Sequence, residues 1–456
     1  PEKDFYLEAQ VCYSNGTTKS HRFDFAPYVK GWQYGGGGGS PPMTGMRESK
    51  TVIMPSISGS FMMTSAMRPG LTGSSSRRMR GETYVYDQDG NLTDVKNAAE
   101  QSKFWYDGNG NLSGMVSPDG TDFSYTYDSR NNLTEAKNSD GAVYRFSYDA
   151  GGNRTEERIY PYTTGTLGEP ETTISYGYGA EGWKDQLTEY DGQTITYDAI
   201  GNPIAYRDNM IFGWQHGREL KSITVTAGLK TTTYTYDEDG YRMTKADESG
   251  VTRYYRNGTT LLTQKKGSTR LDFFYDANGL PLGFKKNGTV YYYILNLQGD
   301  VVGILDSEGK QVAGYRYDPW GKLLSCTGEM ADSIGAVNPL RYRGYYYDSE
   351  SGLYYLNSRY YDPETGRFLN ADWQMDENAG LLKGNLYVYC ANNPVKYRDD
   401  NGEFLLIAAL GIGALVGGVI GGAVSAAVQY ATTGTVKWRE VGIDAVAGAV
   451  SGMLAV

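Results

Sequence analysis

The chain has 456 residues, a formal net charge of −10 and a sequence pI of about 5.0. Its lysines and arginines form no block beyond Arg77-Arg78-Met-Arg80, which excludes the basic footprint of a nucleic-acid binder. Three scattered cysteines (Cys12, Cys326, Cys390) and two distant histidines (His21, His216) exclude zinc-site spacing and a histidine-based triad motif, so no metal or cofactor is expected.

Residues 1–35 carry two alternating stretches, Phe5 to Tyr13 and Lys19 to Phe25, and read as the end of an upstream β-domain. No signal-peptide pattern follows Pro1, and the last residues, Ala445 to Val456, stop inside an apolar run. A longer polypeptide is therefore expected. Residues 36–80, which begin within the run Gly35 to Gly39, contain a Ser-Pro-Pro step and Ser74-Ser-Ser76, the composition of a flexible linker. The methionine-rich part of that stretch reads alternatively as a strand pair.

Residues 81–340 are a repeat array. Tyr-Asp pairs open similar units at Tyr86-Asp87 (YDQDGNL), Tyr106-Asp107 (YDGNGNL), Tyr127-Asp128 (YDSRNNL) and Tyr148-Asp149 (YDAGGNR), at spacings of 20, 21 and 21 residues. Looser copies start at Tyr197, Tyr236, Tyr275, Tyr317, Tyr347 and Tyr361. A fixed period of this size marks a repeat architecture. Tyr-x-Tyr alternation, as in Tyr84-Val-Tyr86, is strand-like, and the Asp-Gly, Asn-Gly and Gly-Asn steps that follow suit two-residue hairpin turns. Each unit is then a hairpin of about 20 residues that can bury a face only by stacking on its neighbours. The 41 tyrosines, 60 glycines and 39% hydrophobic content favour a thin wall with aromatic packing over a thick aliphatic core.

Residues 341–403 close the array with Arg359-Tyr-Tyr-Asp-Pro-Glu-Thr-Gly-Arg-Phe368 and Asn385-Leu-Tyr-Val-Tyr-Cys-Ala-Asn-Asn-Pro394. Residues 404–456 are a different material. Phe404 to Tyr430 has no charge, is long enough to span a bilayer, and carries small-xxx-small spacing at Gly413, Gly417 and Gly421. A membrane contact through 404–430 and a glycine-rich helical hairpin sheltered against the array are both open readings.

The YDxxGN repeats, Asn296-Leu-Gln-Gly-Asp300 leading to Tyr315-Arg-Tyr-Asp-Pro-Trp-Gly321, and Leu353 to Leu369 with the Asn-Asn-Pro segment resemble the rearrangement hotspot (RHS) and YD-repeat proteins with their RHS-associated core. That group includes bacterial polymorphic toxins, wall-associated proteins and the C component of Tc insecticidal complexes. The resemblance covers roughly residues 81–403. It implies a mainly β fold: a spiral of antiparallel hairpins forming a partial or complete hollow shell with a low-charge interior, followed here by a glycine-rich helical segment.

The resemblance also implies a secreted or cell-surface protein whose shell encloses and delivers its own C-terminal toxin or passenger, with an immunity protein as a further partner. No toxic activity is legible before Val456. Many such proteins cut themselves where the core ends, and the responsible aspartates map onto Asp372 and Asp399, with Arg367 as the expected nearby cation. Two close carboxylates cannot both ionise readily, so one holds a proton while the other activates water. The family's closing Asp-Pro-x-Gly reads Asp399-Asp-Asn-Gly-Glu403 here, and a cut is expected near Glu403-Phe404. The alternative for both aspartates is a turn cap bonding a nearby backbone N–H. The competing functional readings are a cell-surface or wall-associated adhesion protein anchored by 404–430, and a self-processing protease acting only on its own chain.

Overall fold

A computed structural model describes residues 5–12, 18–25, 75–79 and 82–402, apart from 88–90, 97–100, 118–119, 140, 180–181, 277–278, 297 and 373–384. Two compact units divide the chain, Pro1–Gly70 and Leu71–Val456. In the first, Phe5–Cys12 and Thr18–Phe25 form one antiparallel hairpin. The expected linker region ends in a strand, Ser75–Met79, which pairs with Glu82–Tyr86 and so belongs to the array. Among the described residues no helix is long and apolar enough to cross a membrane. The stretches 404–430 and 404–456, with their open membrane and helical readings, lie outside the described residues.

The second unit is mainly antiparallel β. One 12-stranded sheet runs from Ser75–Met79 to Gln193–Thr194, and a 14-stranded sheet runs from Thr196–Tyr197 to Leu323–Thr327. In both, each strand pairs with the next one in the chain, as hairpin repeats require. Strand side chains alternate between faces, and only one face of the array is covered. In Gln101–Tyr106 Ser102 and Phe104 are buried; in Lys230–Tyr236 Thr232 and Tyr234 are.

The Tyr-Asp turn is longer than the two-residue type its glycines suggest. At Asp107 the loop closes with Asp107 N–H donating to the Asn111 carbonyl (2.9 Å). The Asp107 carboxylate then collects the loop: Oδ1 accepts from the N–H of Asn109 (2.9 Å) and Asn111 (2.8 Å), and Oδ2 accepts from Asn111 Nδ2 (2.9 Å). Gly110, at φ +69°, supplies the left-handed residue. The same Asp–Asn lock recurs at Asp128–Asn132, Asp149–Asn153 and Asp198–Asn202. At Asn296–Asp300 the two residue types are exchanged and Asn296 Nδ2 donates to Asp300 Oδ2 (2.6 Å). A carboxylate can satisfy three donors at once, which fixes five residues without a primed two-residue turn.

The tyrosine before each aspartate ties its hairpin to an earlier one. Tyr127 Oη donates to the Leu112 carbonyl (2.8 Å), Tyr148 to Leu133 (2.8 Å) and Tyr317 to Val301 (2.9 Å), each acceptor immediately following a turn lock. The buried ring packs while its hydroxyl stays hydrogen-bonded, as a half-buried wall requires.

A short four-stranded sheet, Tyr346–Asp348, Leu353–Tyr355, Tyr360–Asp362 and Arg367–Phe368, covers the array's buried face. Leu353, Tyr355 and Tyr360 join the cluster built mainly from the 14-stranded sheet, whereas Tyr354, Tyr361 and Phe368 join the cluster with Phe104, Leu133 and Phe146 of the 12-stranded sheet. Successive residues thus serve opposite sheets, and the Tyr-Tyr pairs exist because both faces of these strands are buried. The interior is not low in charge, contrary to expectation. Arg207 binds Asp362 (2.6 Å), Arg242 and Lys245 bind Asp348 (2.6 and 2.8 Å), and Arg343 binds Asp300 (3.3 Å), all buried. Array and core segment carry complementary charges that cancel where they meet.

A second set of contacts reads the turns. Asn393 Nδ2 donates to Asn111 Oδ1 (3.1 Å), Asn392 Nδ2 to Asn132 Oδ1 (3.2 Å) and Asn385 Nδ2 to Asn153 Oδ1 (2.7 Å). These three turn asparagines therefore donate inward to their own aspartates and accept outward from the core segment.

Two outcomes follow. Asp348→Asn leaves Arg242 buried without its counter-charge and Lys245 with only the partly exposed Glu350 (2.9 Å), and should cost about 3–5 kcal/mol in urea unfolding at pH 7. Burial works against the Asp348 carboxylate, but Arg242 and Lys245 outweigh it and hold its pKa below the usual value. The wild-type advantage is therefore present above the unfolded pKa and disappears as pH falls through the folded one. A difference under about 1 kcal/mol at pH 7 contradicts the ion-pair account. A double-mutant cycle on Asn111→Ala and Asn393→Ala should show a coupling of about 0.5–1.5 kcal/mol; additive effects contradict the turn-reading contact.

Candidate functional site

The tight link Leu356-Asn357-Ser358 joins two core strands, with Asn357 at φ +69° and Leu356 N–H donating to the Arg359 carbonyl (2.9 Å). It delivers Arg359 into the interior, where its guanidinium stacks on the Phe368 ring at 3.7 Å. The same side chain meets both predicted aspartates. Arg359 Nη2 lies 2.9 Å from Asp372 Oδ2 and 3.8 Å from Asp399 Oδ2. Nη1 donates to the Leu386 carbonyl (3.3 Å), and Nε donates to the Gly402 carbonyl.

Asp372 is placed by its backbone N–H, which donates to the Leu386 carbonyl (2.8 Å), and its side chain is partly exposed. Asp399 is buried. Its N–H donates to Tyr345 Oη (3.0 Å), and its Oδ1 accepts from the N–H of Asn401 (3.3 Å) and Gly402 (2.7 Å). One carboxylate oxygen therefore caps a turn while the other faces Arg359. Burial pushes the Asp399 pKa up to about 6, against the opposing pull of Arg359 and the two backbone N–H groups. Asp400, which stands beside it in sequence, pairs with Arg398 in a half-exposed position and has the smallest of these influences on Asp399.

The structure brings Asp372 and Asp399 to one cation, and that cation is Arg359 rather than Arg367. Arg367 precedes Phe368 on a strand, so the two side chains leave on opposite faces. Phe368 takes the face beneath Arg359, and Arg367 leaves on the other, donating to the Asp185 carbonyl (2.6 Å), Asn385 Oδ1 (3.2 Å) and Tyr178 Oη (3.3 Å). The signal for Arg359 lies in its own motif: an arginine entering a Tyr-Tyr strand buried on both faces needs a carboxylate. Asp362, in the same motif, is taken by Arg207.

Beyond the site lies a cavity of about 230 Å³, lined by Ser358 and Asn401 together with Tyr236, Tyr355, Tyr360 and Asp239. It is roomy and polar enough for water beside the Asp399–Gly402 turn. Among the described residues no group of three or more His, Cys, Asp or Glu side chains is arranged to hold a metal ion.

The chain is 36% identical over 239 residues to the tRNA3(Ser)-specific nuclease WapA of Bacillus spizizenii, covering 51% of this chain and 10% of that protein. It is 26% identical over 273 residues to double-stranded DNA deaminase toxin A of Burkholderia cenocepacia, covering 52% and 18%. It is 40% identical over 76 residues to toxin protein Tse5 of Pseudomonas aeruginosa, covering 16% and 5%. The chain thus spans less than a fifth of each relative's length. A solved structure of the Photorhabdus luminescens Tc holotoxin pore aligns at 18% identity and a TM-score of 0.46, covering 72% of this chain and 20% of that one. The Teneurin YD-shell family model matches residues 115–395, which hold the turn locks from Asp128 onward and most of the core segment. More than half of the chain is matched, and the chain belongs to the Teneurin YD-shell family.

Proposed function

We propose that this chain is the shell of a bacterial toxin-delivery protein, secreted or displayed at the cell surface, which carries its own C-terminal passenger and cuts the connection to it. The observation that carries the delivery reading is the set of relatives named as a nuclease, a deaminase toxin and a toxin. Those names favour delivery over wall-associated adhesion. The partners are the passenger and an immunity protein matched to it. The array is read as a spiral wall, with the stretch from residue 404 leading to the passenger.

The self-cleavage reading rests on Arg359, which gathers Asp372, Asp399 and the Gly402 carbonyl around one guanidinium. Asp399, buried and with a raised pKa, is the proton holder; Asp372, more exposed, is the base. Asp372 takes a proton from water as the water oxygen bonds to the scissile carbonyl carbon near Glu403-Phe404. Asp399 gives its proton to the amide nitrogen, the C–N bond breaks, and the products are a new carboxyl terminus and a free amine. One water is consumed and no other reactant is needed. Arg359 keeps the two carboxylates together and holds the preceding carbonyl, so that the acid, the base and the scissile bond are already aligned when water attacks.

Intact mass spectrometry of the purified chain should reveal two fragments parted near residues 402–404, their masses summing to the full chain plus one water. Asp372→Asn and Asp399→Asn should each leave the chain whole. Because the acid form of Asp399 is lost as pH rises through about 6, the rate should fall about tenfold per pH unit well above that point. An uncut wild-type chain between pH 5 and 7, or cutting that persists in both variants, contradicts the assignment.

A further inference from the structure

We infer that Ser358 is a positioning residue for this cleavage, holding the turn that leads to the cut through its hydroxyl; the inference rests on the self-cleavage reading above. The segment Asp399-Asp-Asn-Gly402 contains no proline to fix it, and Gly402 sits at φ +79°, where backbone freedom is greatest. Its alignment therefore comes from hydrogen bonds. The N–H groups of Asn401 and Gly402 bind Asp399 Oδ1, and the Gly402 carbonyl binds Arg359. The Asn401 carbonyl accepts from the Ser358 backbone N–H (3.1 Å) and from Ser358 Oγ (2.8 Å).

Ser358 also forms the floor beneath Gly402. A Cβ at Gly402 would lie 2.8 Å from Ser358 Oγ, 3.1 Å from the Arg359 nitrogen and 3.1 Å from the Leu356 oxygen. The serine thus bonds the Asn401 carbonyl and occupies the space a side chain at residue 402 would need. It sits next to Arg359 in sequence, so one short link presents both the cation for the carboxylates and the donor for the preceding carbonyl. It also borders the polar cavity beside the turn, on the side from which water can arrive. Loss of the hydroxyl leaves the backbone bond to Asn401 in place, so the fold survives while the peptide plane ahead of Gly402 gains freedom. Small misplacements of reacting atoms cost large factors in rate.

The test is the rate of self-cleavage of the full chain, followed by intact mass from pH 5 to 7, for wild type, Ser358→Ala and Ser358→Thr. Unfolding midpoints are measured for the same two substitutions in the uncut Asp372→Asn background. Ser358→Ala should cut about tenfold more slowly at every pH, with an unchanged pH midpoint and an unchanged unfolding midpoint. Ser358→Thr, which keeps the hydroxyl and has room for its methyl at this exposed position, should return to within about twofold of wild type. A wild-type rate in Ser358→Ala overturns the role of Ser358 alone, as does a threonine variant as slow as alanine. A fall in unfolding midpoint that tracks the slowing makes the effect one of stability and overturns it too. A wild-type chain that never cuts overturns the self-cleavage reading and this inference with it.

Discussion

A sheet of hairpins with one apolar face is stable only if something lies against that face, and the rest of this structure depends on how that is met. The array cannot cover itself, because its strands alternate buried and exposed residues and each hairpin is too small to fold back on its own surface. The cover is supplied from within the chain by a few short strands near its described end. Those strands are buried on both sides, which explains why they abandon alternation for Leu-Tyr-Tyr and Tyr-Tyr-Asp. Tyrosine is the common solution on both surfaces, since its ring excludes water while its hydroxyl reaches a backbone carbonyl or another tyrosine.

Apolar contact alone would let so repetitive a wall slide by one repeat. The polar contacts are what fix the register. Three turn asparagines use their amide nitrogens for their own aspartates and leave their oxygens for one core asparagine each, so that Asn111, Asn132 and Asn153 are met in order by Asn393, Asn392 and Asn385. The buried ion pairs act similarly. Their net stabilisation is small because two charges lose their hydration, but a mispaired charge in that interior is severely unfavourable. The Arg359 group has the same character as the other buried pairs, with two carboxylates and a chain carbonyl around one guanidinium. The candidate chemistry is thus built from an element that also holds the core together.

Much of this was legible in the sequence where the cause is local. The Tyr-Asp period, the strand alternation and the presence of turns follow from neighbouring residues, and the structure contains them. The loop length was misjudged because Asp-Gly and Gly-Asn steps suit a two-residue turn, while the side-chain bridge from Asp107 to Asn111 is a choice the glycines do not reveal. Asp372 and Asp399 stand together, yet Arg367 was expected where Arg359 sits. Which of two arginines faces a carboxylate depends on the phase of a strand, and Phe368 under Arg359 settles it. The interior charge was missed for a related reason, since Arg242 and Asp348 are 106 residues apart and only the packed sheets bring them together.

The central claim is that array and core segment are one cooperative unit, each supplying what the other lacks. Native-state hydrogen exchange on the intact chain tests it directly. The account predicts that amides of Leu353–Tyr355 and Tyr360–Asp362 exchange with the same opening free energy as those of central array strands such as Arg242–Asp247, and only through global unfolding. Core strands that open separately, at a markedly lower free energy than the array, would contradict it.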